Sequence, residues 1–262
     1  MSNNDTEAPL HQLNYGVENN VFVVTGGSRG IGFNIAQLLL AQKANVVICG
    51  RKQEGLDSAS EKLQAGNKLL TVQSHVAKTE EVEKLFDQTL AHFGRLDGLI
   101  NNVGMNIMTN VLDADPGLWN KIIDSNLSSH FLCSQKAGKI MRAQQKGKIV
   151  NISSIAARRS APAMGIYGIA KAGIEMLTKV LAQELAPFNI QVNAVAPSMV
   201  RTTFSEPLWA NKDIHDIVVK TIPLGRIAEP IDIAHPVLFL CSKGSNFITG
   251  QTLMVDGGAS AI

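Results

Sequence analysis

Val21-Phe22-Val23-Val24-Thr25-Gly26-Gly27-Ser28-Arg29-Gly30-Ile31-Gly32 is the stretch on which the fold turns. Val21 to Thr25 is a short apolar run of the kind buried in a parallel sheet. It leads into closely spaced glycines and then an apolar-periodic helix through about Gln42. Glycines between a buried strand and a helix let the backbone approach a pyrophosphate, which sits on the helix N-terminus. A tight strand-to-helix turn that binds nothing would use the same glycines, so the position of the loop in the chain must discriminate. Downstream, the alternation continues. Strands are read at 45–49, 69–73, 97–101, 147–152, 190–196 and 252–255, with helices near 53–65, 79–92, 115–144, 164–186 and 230–241. Such alternation predicts right-handed crossovers and an α/β fold, a three-layer, doubly wound parallel sheet of Rossmann-like type in a single domain. A loop of this kind at the first strand-to-helix turn of such a chain favours a nucleotide. Residues 1–17 read as a polar leader and 18–262 as the domain. Within it the segment 199–222 breaks the rhythm, with Phe204, Pro207, Leu208 and Trp209 in a polar stretch, and is expected to lie over the mouth of the site as a lid.

The totals narrow the function classes. A chain of 262 residues is long enough for one α/β domain with a large core. Its net charge of +2 is too weak a bias to argue for nucleic acid or membrane partners. No apolar run is long enough to cross a bilayer, and a cytoplasmic protein is expected. Cys49, Cys133 and Cys241 are scattered in apolar contexts, and the six histidines show no ligand spacing, so no metal site is expected.

A second stretch, Lys148 to Lys179, carries the candidate chemistry. An apolar strand ends in Ser153-Ser154, and the helix that follows carries Tyr167-Gly168-Ile169-Ala170-Lys171. Tyr167 and Lys171 are four apart and share a helix face. A hydroxyl at the carboxyl end of a strand is where open α/β sheets place their chemistry. Serine, tyrosine and lysine converging there suggest exchange between a carbonyl and an alcohol. Tyr-x-x-x-Lys alone is a weak signal, since it arises by chance on ordinary helices. Asn126, in Asp124-Ser125-Asn126-Leu127-Ser128, stands mid-helix where propensity gives it no reason to be.

Taken together, the Thr25-Gly26-x-x-x-Gly30-x-Gly32 start, Asn101-Asn102-Val103-Gly104, the serine–tyrosine–lysine stretch and the Pro197 turn resemble the short-chain dehydrogenase/reductases. The motifs agree in order and spacing over nearly the whole chain after residue 20. The resemblance implies a nicotinamide dinucleotide, a small-molecule ketone or alcohol substrate and, usually, a homotetramer. It further implies that Tyr167 exchanges the proton with the substrate oxygen, that Ser154 holds that oxygen, that Lys171 bonds the nicotinamide ribose and lowers the tyrosine pKa, and that Asn126 holds a water linking Lys171 to solvent. Thirteen residues separate Ser154 from Tyr167, as in the family, and this spacing selects Ser154 over Ser153.

Cofactor contacts are expected from Gly26, Ser28, Arg29, Gly30, Ile31 and Gly32 in the loop, and from Tyr167 and Lys171. The second strand ends in Gly50-Arg51-Lys52. An acid there would select NAD, whereas an arginine accommodates a 2′-phosphate, and Arg29 offers a second guanidinium. NADP is therefore expected over NAD, with Arg51 and Lys52 at the phosphate. His75-Val76 stands where the family usually has Asp-Val beside the adenine, and His75 is either that contact or a partly buried strand-end histidine. Asn102 and Gly104 are expected in a mixed structural and cofactor role. Pro197, Val200 and Thr202 are expected at the carboxamide, although Thr202 would also suit a helix N-cap. Ser198 replaces the family's glycine, so its turn must avoid a positive φ or tolerate strain.

Met199, Phe204, Leu208 and Trp209 are expected as an apolar lid, with Met105, Ala156 and Met164 at the mouth, and Arg158 and Arg159 as solvated side chains. Local wording, such as Thr203-Phe204-Ser205-Glu206-Pro207-Leu208-Trp209, resembles the family's carbonyl and retinal reductases. Reduction of an apolar or aromatic ketone is the expected reaction. The alternatives are a 3-oxoacyl-(acyl-carrier-protein or CoA) reductase and, more remotely, a non-catalytic dinucleotide-binding regulator.

Overall fold

The computed structural model describes residues 15–261; most of the polar leader, residues 1–14, lies outside them. Seven strands form one parallel sheet in the order β3-β2-β1-β4-β5-β6-β7. They are β1 (Val21–Thr25), β2 (Asn45–Gly50), β3 (Leu69–Gln73), β4 (Gly98–Asn101), β5 (Gly147–Ile152), β6 (Ile190–Pro197) and β7 (Thr252–Val255). Strand order reverses between β1 and β4, the switch point at which such sheets bind ligands. Nine α-helices are described: α1 (Gly30–Ala41), α2 (Gln53–Leu63), α3 (Thr79–Phe93), α4 (Pro116–Ile123), α5 (Ser129–Gln144), α6 (Gly165–Leu185), α7 (Glu206–Trp209), α8 (Lys212–Lys220) and α9 (Pro230–Cys241).

Successive strand residues serve opposite faces. Phe22, Val24, Val46 and Ile48 pack with Ile35 and Leu39 of α1, Leu56 of α2 and Val237 of α9. Val23, Val47 and Cys49 face Leu85 and Phe86 of α3, Cys133 and Met141 of α5 and Leu185 of α6. Both faces are dry, which is why the strands read as unbroken apolar runs. Tyr15 and Val17 belong to the first of these cores, so the fold takes in the end of the expected leader. All three cysteines are free and buried.

The expected helix over 115–144 is interrupted. A π turn at Asp124–Ser128 joins α4 to α5 and carries Asn126. π turns are short and concentrate at functional sites. Asn126 is fully buried there, and its amide donates to the carbonyls of Ile122 (2.8 Å) and Met105 (2.7 Å) while its oxygen accepts from Met105 N–H (3.2 Å). That is the reason for an asparagine in mid-helix: it ties the π turn to the chain leaving β4.

The segment 199–222, expected as a lid, folds into α7, α8 and their connections. Its start is pinned by Arg201 N–H to the Ala228 carbonyl (2.8 Å) and by the Arg201–Glu229 ion pair (2.9 Å). Met199 and Trp209, expected as part of an apolar lid, pack on Ile222, Ile227 and Ala259 in a small core shared with the C-terminal segment. The indole of Trp209 lies under the Arg201 guanidinium (5.0 Å) and donates to the Thr202 carbonyl (3.0 Å).

Candidate active site

The carboxyl ends of β1, β4 and β5 bring the sequence-selected residues together. At β1 the backbone turns through Gly26 (φ +65°) and Gly30 (φ +58°), the left-handed region that side chains avoid. A Cβ on Gly32 would lie 2.4 Å from the Gly26 carbonyl oxygen, so no side chain fits and α1 starts directly against the loop. Thr25 Oγ1 accepts from Asn102 N–H (2.9 Å), and the Asn102 amide donates to the carbonyls of Thr25 (3.0 Å) and Gly26 (3.2 Å). The Asn102 amide protons thus brace the loop from β4 rather than reach outward. Glycine-lined backbone and the free N–H groups of the first turn of α1, which begins at Gly30-Ile31, make a cradle suited to a pyrophosphate.

Ser28 Oγ approaches the end of β2, where a Cβ on Gly50 would meet it at 3.6 Å. Arg29, Arg51 and Lys52 are exposed beside it, and none of their side chains has a hydrogen-bond or ion-pair partner among the described residues. His75 is fixed by its backbone: its N–H donates to the Glu81 carboxylate (2.5 Å), and its ring Nδ1 accepts from Ala77 N–H (3.4 Å). Val76 beside it is buried. At the far end, the Thr202 methyl stands 3.3 Å from where a Gly30 Cβ would be, against the glycine loop. Thr202 is no helix cap, since the position before α7 is held by Ser205, whose hydroxyl donates to the Val200 carbonyl. Pro197 closes β6, and Ser198 is not among the residues with positive φ, so its turn avoids strain.

On the reaction side, Ser154 lies two residues past the end of β5 in an extended conformation, and its Oγ accepts from Ala156 N–H (3.1 Å). The following short turn packs close to α6. A Cβ on Gly168 would lie 2.8 Å from the Ala156 carbonyl, so the glycine after Tyr167 lets the helix come down onto the turn. This close approach brings Tyr167 to Ser154. Ala156 and Met164 pack around Tyr167 with Ile122 and Ile166, as expected of residues near the mouth. Lys171 is buried, donates to the Ile152 carbonyl (2.8 Å) and lies 5.4 Å from the centre of the Tyr167 ring. Gly104 permits this crowding: a Cβ there would stand 2.8 Å from Asn126 Oδ1 and 3.4 Å from Lys171 Nζ. Phe204 reaches back from the lid, half exposed, with its ring centre 6.1 Å from that of Tyr167.

Burial works against one expectation. Burial pushes the Tyr167 phenol up to about 12, with the Ser154 hydroxyl opposing the rise. Burial also lowers Lys171 to about 7. The lysine was expected to pull the phenol down. Desolvation, which penalises the charged form of each group, acts the other way and is the largest influence on both. Arg158 and Arg159 are also not simply solvated. Arg158 pairs with Glu175 (2.9 Å), and Arg159 donates to the Ala259 carbonyl (3.0 Å), tying the chain after β5 to α6 and to the C-terminal segment.

Residues 26–260 match the family model described as enoyl-(acyl carrier protein) reductase. The chain belongs to the short-chain dehydrogenase/reductases. Dehydrogenase/reductase SDR family member 4 of Homo sapiens is 37% identical, with 92% of this chain and 87% of that protein aligned. A 3alpha-hydroxysteroid dehydrogenase of Mediterraneibacter gnavus is 38% identical over 93% of this chain and 98% of its own. A 3-oxoacyl-(acyl-carrier-protein) reductase of Chlamydia muridarum is 39% identical over 92% and 97%. Among solved structures, a putative short-chain alcohol dehydrogenase from Sinorhizobium meliloti superposes with a TM-score of 0.91 at 33% identity, covering 95% of this chain and 99% of that one. The short-chain dehydrogenase/reductases are oxidoreductases that use a nicotinamide dinucleotide, and the cradle at Gly26–Gly32 fits one. Membership also accounts for the sheet order and the meeting of Ser154, Tyr167 and Lys171.

His130 is the residue at this site that the sequence reading passed over. It lies in the first turn of α5, fully buried, and its Nε2 has no hydrogen-bond partner among the described residues. Nothing in its sequence spacing marks it, because what makes it notable is the sheet crossing beneath it.

Proposed function

We propose that this enzyme reduces apolar or aromatic ketones with NADPH, Tyr167 serving as the proton donor. The observation that carries the reading is Phe204 standing 6.1 Å from Tyr167, half exposed, so that a carbonyl at the tyrosine would have an aromatic face beside it. Apolar linings of this kind suit aryl or alkyl ketones over free sugars. Two of the similar proteins are named for a hydroxysteroid and for a 3-oxoacyl thioester. The oxidised form of the first, and the second itself, carry a ketone on an apolar body, in keeping with the same pocket.

In this reading the glycine cradle and the first turn of α1 hold the pyrophosphate. Arg51, Arg29 and Lys52 hold the 2′-phosphate, with Ser28 beside them. His75 and Val76 flank the adenine, and Pro197, Val200 and Thr202 meet the carboxamide. When bound, the nicotinamide supplies the hydride. Ser154 donates a hydrogen bond to the carbonyl oxygen, and Tyr167 delivers the proton to that atom. Lys171 orients the ribose and steadies the phenolate left behind, and Asn126 fixes the backbone around it. Holding carbonyl and hydride donor together contributes much of the acceleration, and general acid catalysis typically adds ~10²–10⁴-fold.

The test is direct: NADPH consumption followed by absorbance over a panel of aryl ketones, steroid ketones and 3-oxoacyl thioesters. Turnover of aryl or steroid ketones is expected. Activity confined to carrier-linked 3-oxoacyl thioesters would establish the second reading, which the 39% identity to the Chlamydia muridarum reductase favours. Tight NADPH binding without turnover of any carbonyl would make the protein a regulator. For the cofactor, Arg51→Ala is expected to weaken NADPH about tenfold or more, the scale of one lost charge-assisted hydrogen bond, while NADH affinity stays within about twofold. An unchanged NADPH/NADH ratio would refute the phosphate assignment.

Phe131, Ile169, Met176 and Val180 expose apolar side chains on α5 and α6, and they support the homotetramer of the family. Light scattering on the purified protein reads the stoichiometry.

A further inference from the structure

Around Lys171 and His130 the buried chain presents several hydrogen-bond acceptors. Lys171 Nζ reaches the Ile152 carbonyl at the end of β5. The carbonyls of Asn101, Asn126 and Ile152 all face the imidazole of His130, and Lys171 is the charged group that acts on it. Ser129 Oγ donates to the Ser125 carbonyl (2.9 Å), so toward His130 Nδ1, 3.4 Å away, it can only accept. The ring therefore carries its proton on Nδ1, and Nε2 is a bare lone pair. Burial and the Lys171 charge hold His130 well below its ordinary pKa, so the ring is neutral. A buried acceptor left unsatisfied costs about 1–3 kcal/mol, and a polar pocket with several partners is where a buried water belongs.

We propose that His130 is a positioning residue for Lys171: a buried water donates to His130 Nε2 and to one of the adjacent carbonyls while accepting from the lysine, and so favours its ammonium form. The proposal rests on the role given to Lys171 above. Lysine offers three donors. One serves Ile152, one faces the cofactor side, and the water takes the third. No carboxylate competes. Glu175, one turn along α6, is paired with Arg158, and the Asp124 carboxylate accepts from Ser128 at the surface. Tyr167 is the other titratable group from α6, while β4 and β5 present carbonyls and the hydrogen-bonded amides of Asn101 and Asn151. Cys133, on the same face of α5, stands against Cys49.

The test uses the full chain without cofactor, so it does not depend on catalysis. Lysine Cε resonances are followed through a pH titration, with Lys171 assigned by its loss in Lys171→Met. His130→Leu is expected to lower the Lys171 midpoint by about one pH unit, a tenfold loss of proton affinity. His130→Asn, which keeps an acceptor, is expected to stay near the wild-type midpoint. Should His130→Leu not fold, His130→Met gives the same comparison, and nitrogen shifts of the wild-type histidine still report its tautomer. In the active enzyme, the alkaline fall in kcat should move by the same unit with the KM for NADPH unchanged. An unchanged Lys171 midpoint in the apolar variants, or a wild-type His130 with its proton on Nε2, would overturn the assignment. A wild-type enzyme that turns over no carbonyl would overturn the functional reading while leaving the lysine titration to decide the His130–Lys171 linkage.

Discussion

Tyr167→Phe is expected to lower kcat for carbonyl reduction by ~10²–10⁴-fold, the range general acid catalysis contributes, while NADPH affinity changes little. The substitution removes one oxygen and leaves the ring packed among Ile122, Ile166 and Met164. The fold should hold, and lost rate should not reflect lost protein. The phenol pushed up to about 12 stays fully protonated at neutral pH and is loaded as an acid. The same burial makes it a poor base, so alcohol oxidation should need a higher pH than ketone reduction. Steady-state rates in both directions check this, with NADPH fluorescence reporting binding separately. A phenylalanine variant that kept more than about a tenth of the wild-type kcat would remove Tyr167 from the chemistry.

How much of this could be read from the chain differs by element. The central strands were legible because they are buried on both faces and so show as apolar runs, and the half-buried edge strands β3 and β7 by their place in the alternation with helices of 3.6-residue period. The glycine loop was legible because its residues have a backbone reason to be there, as the 2.4 Å approach at Gly32 demonstrates. Asn126 was legible only as an anomaly. Its neighbours carry a helical pattern, and a π turn differs from an α-helix by a single residue of register, which no periodicity resolves. The lid was read least well. Met199 and Trp209 are apolar and lie in the right segment, but a twenty-residue excursion can turn its apolar side chains onto a neighbouring part of the chain, here Ile227 and Ala259. His130 was illegible for a further reason. Its partners come from β4, β5, α5 and α6, brought together only by the crossovers. The burial that opposes charge on Tyr167 and Lys171 was not legible, because sequence supplies the neighbour and omits the depth.

That depth gives the second large effect. Lys171→Met is expected to abolish most activity, on the order of 10²-fold or more, and yet to stabilise the protein at and below neutral pH. Burial lowers Lys171 from 10.5 to about 7. Below about 7 the lysine is charged in both the folded and the unfolded chain, and the folded state bears the full desolvation cost, on the order of a few kcal/mol. Between about 7 and 10.5 the unfolded chain holds the proton and the folded one does not, so stability rises with pH in that window. Above 10 the tyrosine reverses the trend. Its folded pKa of about 12 exceeds the ordinary 10.0, the folded state retains a proton that the unfolded state gives up, and stability falls. Methionine removes the lysine's part of this profile. It also leaves the Ile152 carbonyl without its donor, a loss of about 1–3 kcal/mol at every pH. The variant should therefore be the more stable protein at about pH 6, and the less stable one at about pH 9.5, where the wild-type amine is neutral and still bonds Ile152. Urea denaturation of both proteins at the two pH values decides it. A stability difference that does not change with pH would mean that Lys171 stays charged in the folded protein, and that the acceptors around it, His130 among them, outweigh its burial.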